Sequence, residues 1–339
     1  MSIFTIFSQV DEIQKNTERA LAMLTNLTPV PVPMPVVPVT PVIPATPTVS
    51  GYFVNPHSQV QNYINANPND PNIAKLQKVA SQPTAIWLTG GTPDEVETQI
   101  RDVIATAAGK QVTFVIYNIP HRDNGGQSAG GAADEASYYA WLGRIDAVLD
   151  SLGNPKVTLI MEPDAIGFAV QQNDYKRTEW VSVGVQILTQ HISRTVYLDV
   201  AMWADLSSTA GILAGVDNMA KRIFFMKTSQ GLKNVTGFAL NTSGYNIDSV
   251  CHTFGEVLVR AAGWGKYIVD TSRNGAVTQA GVWENAPGWK IGALPHTQML
   301  TSTFDGNWWV KLPGESDGAD NGAPQAGQLY YQQLVDAVV

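Results

Sequence analysis

The sequence predicts an α/β domain built on a parallel sheet of about seven strands. Apolar runs recur at 84–88 (TAIWL), 113–117 (TFVIY), 157–161 (VTLIM), 195–198 (TVYL), 236–240 (TGFAL), 266–270 (KYIVD) and 308–310 (WWV). Helix-like stretches such as DEVETQIRDVIATAAG lie between them, the alternation expected of repeated βα units. Nearly every run is followed at once by polar residues: TGG, NIPHRD, EPD, DVAMWAD, NTSGYN, TSRNG and KLPGESDG. Side chains that do chemistry are therefore expected along the edge where the strands end.

Two segments precede this domain. Ile3, Ile6, Val10, Ile13, Thr17, Ala20, Leu24 and Leu27 form a heptad seam, so residues 1–28 are expected to be a coiled-coil oligomerisation helix. Isoleucine at both seam positions favours three strands, which predicts a homotrimer joined through residues 3–27. Residues 29–50 are proline-rich, and PVPVPMPVVPVTPVIPATP lacks the amide donors of a helix or central strand, so a polyproline linker is expected. Residues 51–339 then form the globular domain.

Composition narrows the function. The 339 residues carry a net charge of -8 and only 15% charged residues, with no Lys/Arg cluster, which argues against nucleic acid as a partner. No apolar run is long enough to span a membrane. The amino terminus has no basic stretch and no small-residue cleavage site, so it does not read as a classical signal peptide. Cys251, the single cysteine, excludes an intrachain disulfide and reads as a small buried hydrophobe. The five histidines show no metal-binding spacing, and neither a metal nor a cofactor is expected.

The segment YNIPHRDNGGQSAGG ends an apolar run on His121, Arg122 and Asp123. One reading is an Arg122–Asp123 ion pair that pins a loop. The other is a loop that presents site residues at the end of a rigid strand. Asp164 closes LIMEPDAIG, with Ile160, Ile166 and Phe168 nearby, and desolvation there would raise its carboxyl towards the value a general acid needs. Asp317 closes WVKLPGESDG, with Glu315, Lys311 and Arg273 as charged neighbours. Carboxylates among Tyr117, Trp203, Trp283, Trp308 and Trp309 point to a carbohydrate site, where indoles stack on sugars and a carboxyl pair cleaves the glycosidic bond.

Residues 51–339 resemble glycoside hydrolase family 6, the cellulases and cellobiohydrolases with a distorted (β/α) barrel. The motifs that carry the resemblance occur in order: YNIPHRDNGGQSAGG, IMEPD, VYLD, GFALNTSGYN, IVDTSRNG, VWENAPG, WVKLPGESDG and GAPQAGQ. The resemblance implies that Asp164 is the general acid, that Asp123 sits beside it and tunes it, and that Asp317 is the base, acting through water. It also implies that Tyr117 distorts the sugar ring, Ser128 belongs to a mobile loop, Trp283 is a sugar platform, and Lys311 and Glu315 touch substrate. Arg122, Trp203, Asn241 and Arg273 complete the expected substrate contacts.

The sequence also departs from the family pattern. Asn124 and Glu284 stand where cysteines are usual, and Asp199-Val200-Ala201-Met202-Trp203 replaces a D-A-G-H pattern followed by tryptophan. The expected product is an inverting glycosidase acting on a β-1,4-glucan or related cell-surface polysaccharide. The order helix, proline stalk and head looks like a phage minor tail protein, which implies an extracellular or virion-surface location among other appendage proteins. A non-catalytic glycan-binding attachment protein and a secreted cellulase are the alternatives.

Overall fold

The computed structural model describes residues 51–190, 194–203 and 206–338. The helix expected at 1–28 and the linker at 29–50 lie outside the described residues.

Seven strands form one sheet in sequence order, every neighbouring pair parallel. They are β1 (Ile86–Leu88), β2 (Val112–Ile116), β3 (Val157–Met161), β4 (Thr195–Asp199), β5 (Gly237–Leu240), β6 (Lys266–Asp270) and β7 (Phe304–Trp308). Helices α1 (Gln59–Ala66) and α2 (Ile73–Ala80) precede β1, and α3 (Pro93–Ala107) and α4 (Glu135–Ser151) follow β1 and β2. Two helices, α5 (Ala165–Gln171) and α6 (Tyr175–Leu188), follow β3. The sheet is then covered by α7 (Thr209–Ser229) and α8 (Asp248–Ala262), and the described chain closes on α9 (Tyr331–Ala337).

The strands are buried on both faces, and their period of two sorts the side chains. Phe114, Ile116, Leu159, Met161, Leu198 and Phe238 pack with helix residues such as Ile100, Leu142, Val181 and Val216. Val115, Tyr117, Ile160, Tyr197, Ile268 and Trp308 make a separate cluster without helix residues, which is the interior of the curled sheet. Helix α3 begins where chemistry dictates: Pro93 opens it, the Thr92 hydroxyl accepts from Glu95 N at 3.3 Å, and the Glu95 carboxylate accepts from Thr92 N at 2.6 Å.

The edges β1 and β7 form no ladder. They meet where Ala85 N donates to the Trp309 carbonyl at 3.0 Å and the Trp87 indole donates to the Val310 carbonyl at 2.9 Å. A distorted barrel, rather than a regularly closed one, results. The last strand also departs from the sequence expectation of 308–310, since β7 runs over Phe304–Trp308 and carries Asp305, Gly306 and Asn307. Polarity hid it. Asn307 is tolerated because its side chain accepts from Thr297 N at 3.1 Å and Gln298 N at 2.9 Å and donates to the Leu294 carbonyl.

The first described residues join at the rim where the strands begin. The Gly51 carbonyl accepts from Gln111 N at 2.8 Å, and Phe53 N donates to the Gln111 carbonyl at 2.9 Å, immediately before β2. Gly51, the first described residue, therefore lies at the rim opposite the one on which the strands end.

In this lower part of the barrel, His296 stacks on Tyr52 at 3.7 Å and meets Trp308 at 4.5 Å, and burial pushes its imidazole from 6.5 down to about 4. The folded protein thus resists a proton that the unfolded chain accepts, so stability should fall as pH drops from 6.5 to about 4. His296→Phe keeps the stacking ring and cannot titrate. Urea midpoints measured across that window should decline less steeply with falling pH in the variant than in the wild type, and parallel declines would refute the assignment.

Candidate active site

The site is assembled where the strands end. Beyond β2, the chain turns sharply: His121, Asp123 and Asn124 adopt left-handed φ values of 56°, 55° and 48°. Such conformations are unfavourable away from glycine and persist where surrounding bonds fix them. Arg122 supplies those bonds. Its Nη1 donates to the Tyr117 carbonyl at 2.8 Å and the Thr89 carbonyl at 2.5 Å, its Nε donates to the Ser128 carbonyl at 2.8 Å, and its guanidinium lies 4.8 Å from the Tyr117 ring centre. The expected Arg122–Asp123 pairing is therefore replaced by a guanidinium spent on main-chain carbonyls. Asp123 instead accepts from Ser128 N at 2.7 Å, folding the loop onto its own carboxylate. Gly131 closes the loop with φ 90°, where a Cβ would collide with the Ile119 carbonyl.

Asp164 follows β3 in a left-handed turn, φ 68°, and its N–H donates to Asp199 Oδ1 at 2.8 Å. Burial pushes its carboxyl well above the ordinary value, and the negative charges of Asp199, Asp123 and Asp317 add to the effect. A group so placed holds its proton.

Asp317 has the opposite fate. Arg273 Nη1 reaches its two oxygens at 2.8 and 2.7 Å, Lys311 Nζ stands 3.6 Å away, the Tyr245 hydroxyl donates at 2.8 Å and Asn285 N donates at 3.0 Å. Burial alone would raise this carboxyl, but Arg273, Lys311 and these donors outweigh it and hold it down to about 2. Arg273 is itself locked over the Tyr245 ring at 4.2 Å and donates to the Ser243 carbonyl. Lys311 bridges to Glu315 at 3.0 Å.

Other expected residues are placed differently. Tyr117 is buried on the barrel floor, its ring edge against Trp87 at 5.3 Å, and burial with the Asp164 and Asp123 charges keeps its hydroxyl protonated. Asn241 is occupied by main chain, donating to the carbonyl of Asp270 at the end of β6 at 2.9 Å and accepting from Asn246 N of its own turn at 3.0 Å. Trp203 packs edge-on against Phe168 at 4.6 Å beside buried Met202. Trp283 is 64% exposed, a bare indole. Sequence reasoning missed Tyr245, Asn285 and Asp199. Asp199 and Asp270 end their strands as abruptly as Asp123 follows its own, a signal that was present, whereas Tyr245 and Asn285 lie inside the motifs GFALNTSGYN and VWENAPG with nothing local to tie them to Asp317. Among the described residues, no group of three or more His, Cys, Asp or Glu side chains could hold a metal ion.

Residues 48–338 match the model of glycosyl hydrolases family 6. The chain belongs to this family. Endoglucanase A of Cellulomonas fimi is 35% identical over 293 residues, covering 84% of this chain and 60% of that protein. Endoglucanase A of Thermobispora bispora is 30% identical over 281 residues, covering 79% of this chain and 58% of that protein. The chain thus spans less than two thirds of the length of these curated relatives. Among solved structures, the endoglucanase Cel6 of Mycobacterium tuberculosis, in complex with methyl-cellobiosyl-4-deoxy-4-thio-β-D-cellobioside, superposes with a TM-score of 0.73 at 31% identity, covering 87% of this chain and 98% of its own. The glycosyl hydrolase family 6 enzyme of Orpinomyces sp. Y102 gives 0.71 at 27% identity, covering 84% and 95%.

The Arg273 contact to both Asp317 oxygens gives this site a measurable electrostatic signature. Arg273→Lys removes the guanidinium whose Nη1 meets both Asp317 oxygens while Nη2 is anchored on the Ser243 carbonyl. A carboxyl-carbon NMR titration should then show Asp317 rising from about 2 towards its ordinary 3.8, while an unchanged titration would assign its low value to Lys311, Tyr245 and Asn285.

Proposed function

We propose that the chain is an inverting glycoside hydrolase that cuts a β-1,4-linked glucan or a related cell-surface polysaccharide. The observation that carries this reading is the opposed protonation of two carboxyls at one rim, Asp164 kept protonated and Asp317 kept ionised. Asp164 donates its proton to the glycosidic oxygen as that bond breaks. Water attacks the anomeric carbon from the opposite face, and its proton leaves towards a carboxylate. A carboxylate held at about 2 is a weak base, which favours Asp317 acting through solvent and stabilising the positive charge of the transition state. Asp123 raises the acid beside it, Tyr117 floors the cleft, and the exposed Trp283 offers a stacking face for a sugar.

The relatives at 30% identity or more are named endoglucanases, which supports internal cleavage of glucan, whereas several at 26–27% are named cellobiohydrolases. With Trp203 turned onto Phe168, the leaving-group side has a half-buried indole rather than an open platform there, which favours soluble or branched chains over crystalline cellulose. Incubation with both, with the released anomer followed by proton NMR, tests the reading. The α-anomer should appear first and faster from the soluble glucan, activity should fall as pH rises and deprotonates Asp164, and Asp164→Asn should lower turnover by about 10²- to 10⁴-fold with glycan binding retained. Binding without any released sugar would instead support the attachment protein, and near-normal turnover of the variant would sink Asp164 as the acid.

A polymer of this kind is met outside the cell, so an extracellular site of action is part of the proposal. The heptad seam from Ile3 to Leu27 further favours a trimer in which the heads are tethered at the rim opposite the carboxylates. Placement on a surface appendage such as a phage tail rests on that order of segments alone. Light scattering should give three chains for the intact protein and one for the Ile6→Asp, Ile13→Asp double variant, and a monomeric intact chain would reject self-assembly.

A further inference from the structure

We infer that Glu162 is a positioning residue, whose buried side chain sets where Asp123 stands relative to Asp164. It rests on the hydrolase reading only for its activity measurements. Glu162 lies one residue past β3 and two before Asp164, and it is fully buried. The β2–β3 register ends at Ile116 and Met161, after which Glu162 N donates to the Ile116 carbonyl at 2.8 Å. Here the two strands diverge, and the amides of Asn118 and Ile119 have no strand carbonyl opposite them. The Glu162 side chain takes that place: Asn118 N donates to both its oxygens at 3.1 Å, and Ile119 N donates to Oε2 at 3.1 Å. A left-handed φ of 44° turns Glu162 into this position.

The residues it grips lead directly into the turn of His121, Arg122 and Asp123. From the side of β2, Arg122 holds the same turn by carbonyls, so the amides of one loop are fixed by a carboxyl group and its carbonyls by a guanidinium. Tyr138 on α4, with Arg122 and Tyr117, are the ionisable groups that act on or feel Glu162. Burial pushes its carboxyl up to about 7 against the pull of the amides. A buried acid is a costly way to hold a loop, and the geometry explains why glutamate is needed. Both its oxygens accept, whereas glutamine would set an NH₂ group against at least one amide N–H.

Asp123 is one of the charges that raise Asp164, beside Asp199 and Asp317, so a displaced turn should be felt at the acid. In the full chain, Glu162→Gln should lower kcat by about 10²-fold with KM little changed, the cost of misplacing a group by about 1 Å. The alkaline limb of kcat should move to lower pH, because Asp164 loses part of the Asp123 charge. Hydrogen exchange should accelerate at 117–131 and not at 157–161. Glu162→Asp, which keeps the charge but shortens the reach, should shift each quantity in the same direction by less. Wild-type kcat and pH limb in a folded variant would overturn the inference. So would lost activity with an unmoved limb and unchanged exchange at 117–131, or failure of both variants to fold, since each makes Glu162 purely structural. If the wild type cleaves no glucan, the hydrolase reading fails, and the exchange comparison still decides whether Glu162 holds the loop.

Discussion

The structure depends on how a parallel sheet satisfies the amides at the ends of its strands. Within the ladder each N–H finds a neighbouring carbonyl, but where strands diverge into loops the amides are buried and unpaired, and each such group is expensive. Here carboxylates take the missing role. Glu162 receives Asn118 and Ile119, Asp199 receives the Asp164 amide at 2.8 Å, and Asp270 receives Ser243 at 3.0 Å, Val310 at 3.2 Å and Lys311 at 3.1 Å. Each anion ties the end of its own strand to residues of a neighbouring loop. This rim is thereby a set of loops stitched side by side, which is why left-handed residues such as Asp123, Asp164 and Asn241 can be held without glycine.

The same anions determine the chemistry. Concentrating carboxylates in a low-dielectric rim makes ionisation of any further one unfavourable, and Asp164, buried among the charges of Asp199, Asp123 and Asp317, absorbs that cost by keeping its proton. Asp199, pushed up to about 7 by burial and then by the Asp270 charge, shows how far the effect extends. Asp317 escapes because Arg273 and Lys311 stand on it. The two arginines of the site are thus used differently: Arg273 spends its charge on a carboxylate, while Arg122 spends its donors on carbonyls and leaves the Asp123 charge to act on Asp164.

Much of this was legible because the strands are short apolar runs that stop abruptly. Six of the seven expected runs overlap their strands closely, and Asp123, Asp164 and Asp317 arrive at the rim the pattern indicated. The seventh was displaced because β7 carries Asn307 inside it, and a buried amide with all its partners supplied by the 294–298 loop looks polar to any periodicity. Arg122 and Asn241 were expected as substrate contacts alongside the family resemblance, whereas both side chains bond main-chain carbonyls, Arg122 those of Thr89, Tyr117 and Ser128 and Asn241 that of Asp270. Tyr245 and Asn285 reach Asp317 from loops distant in sequence, and only the folded path shows that they meet it.

The departures from the family pattern follow the same logic of charge. Where a cysteine is usual, Glu284 stands half-buried, its carboxyl pushed up by burial and by Asp320, Asp317 and Asp123. Asp320 in turn accepts from Gln127 at 3.2 Å, so the loop that carries Asp123 and Ser128 touches the loop that follows Asp317. A covalent link between such loops would hold them regardless of pH, whereas hydrogen bonds and facing carboxylates hold them with a strength that depends on protonation. The rim is therefore both more acidic and more responsive than a disulfide-braced one.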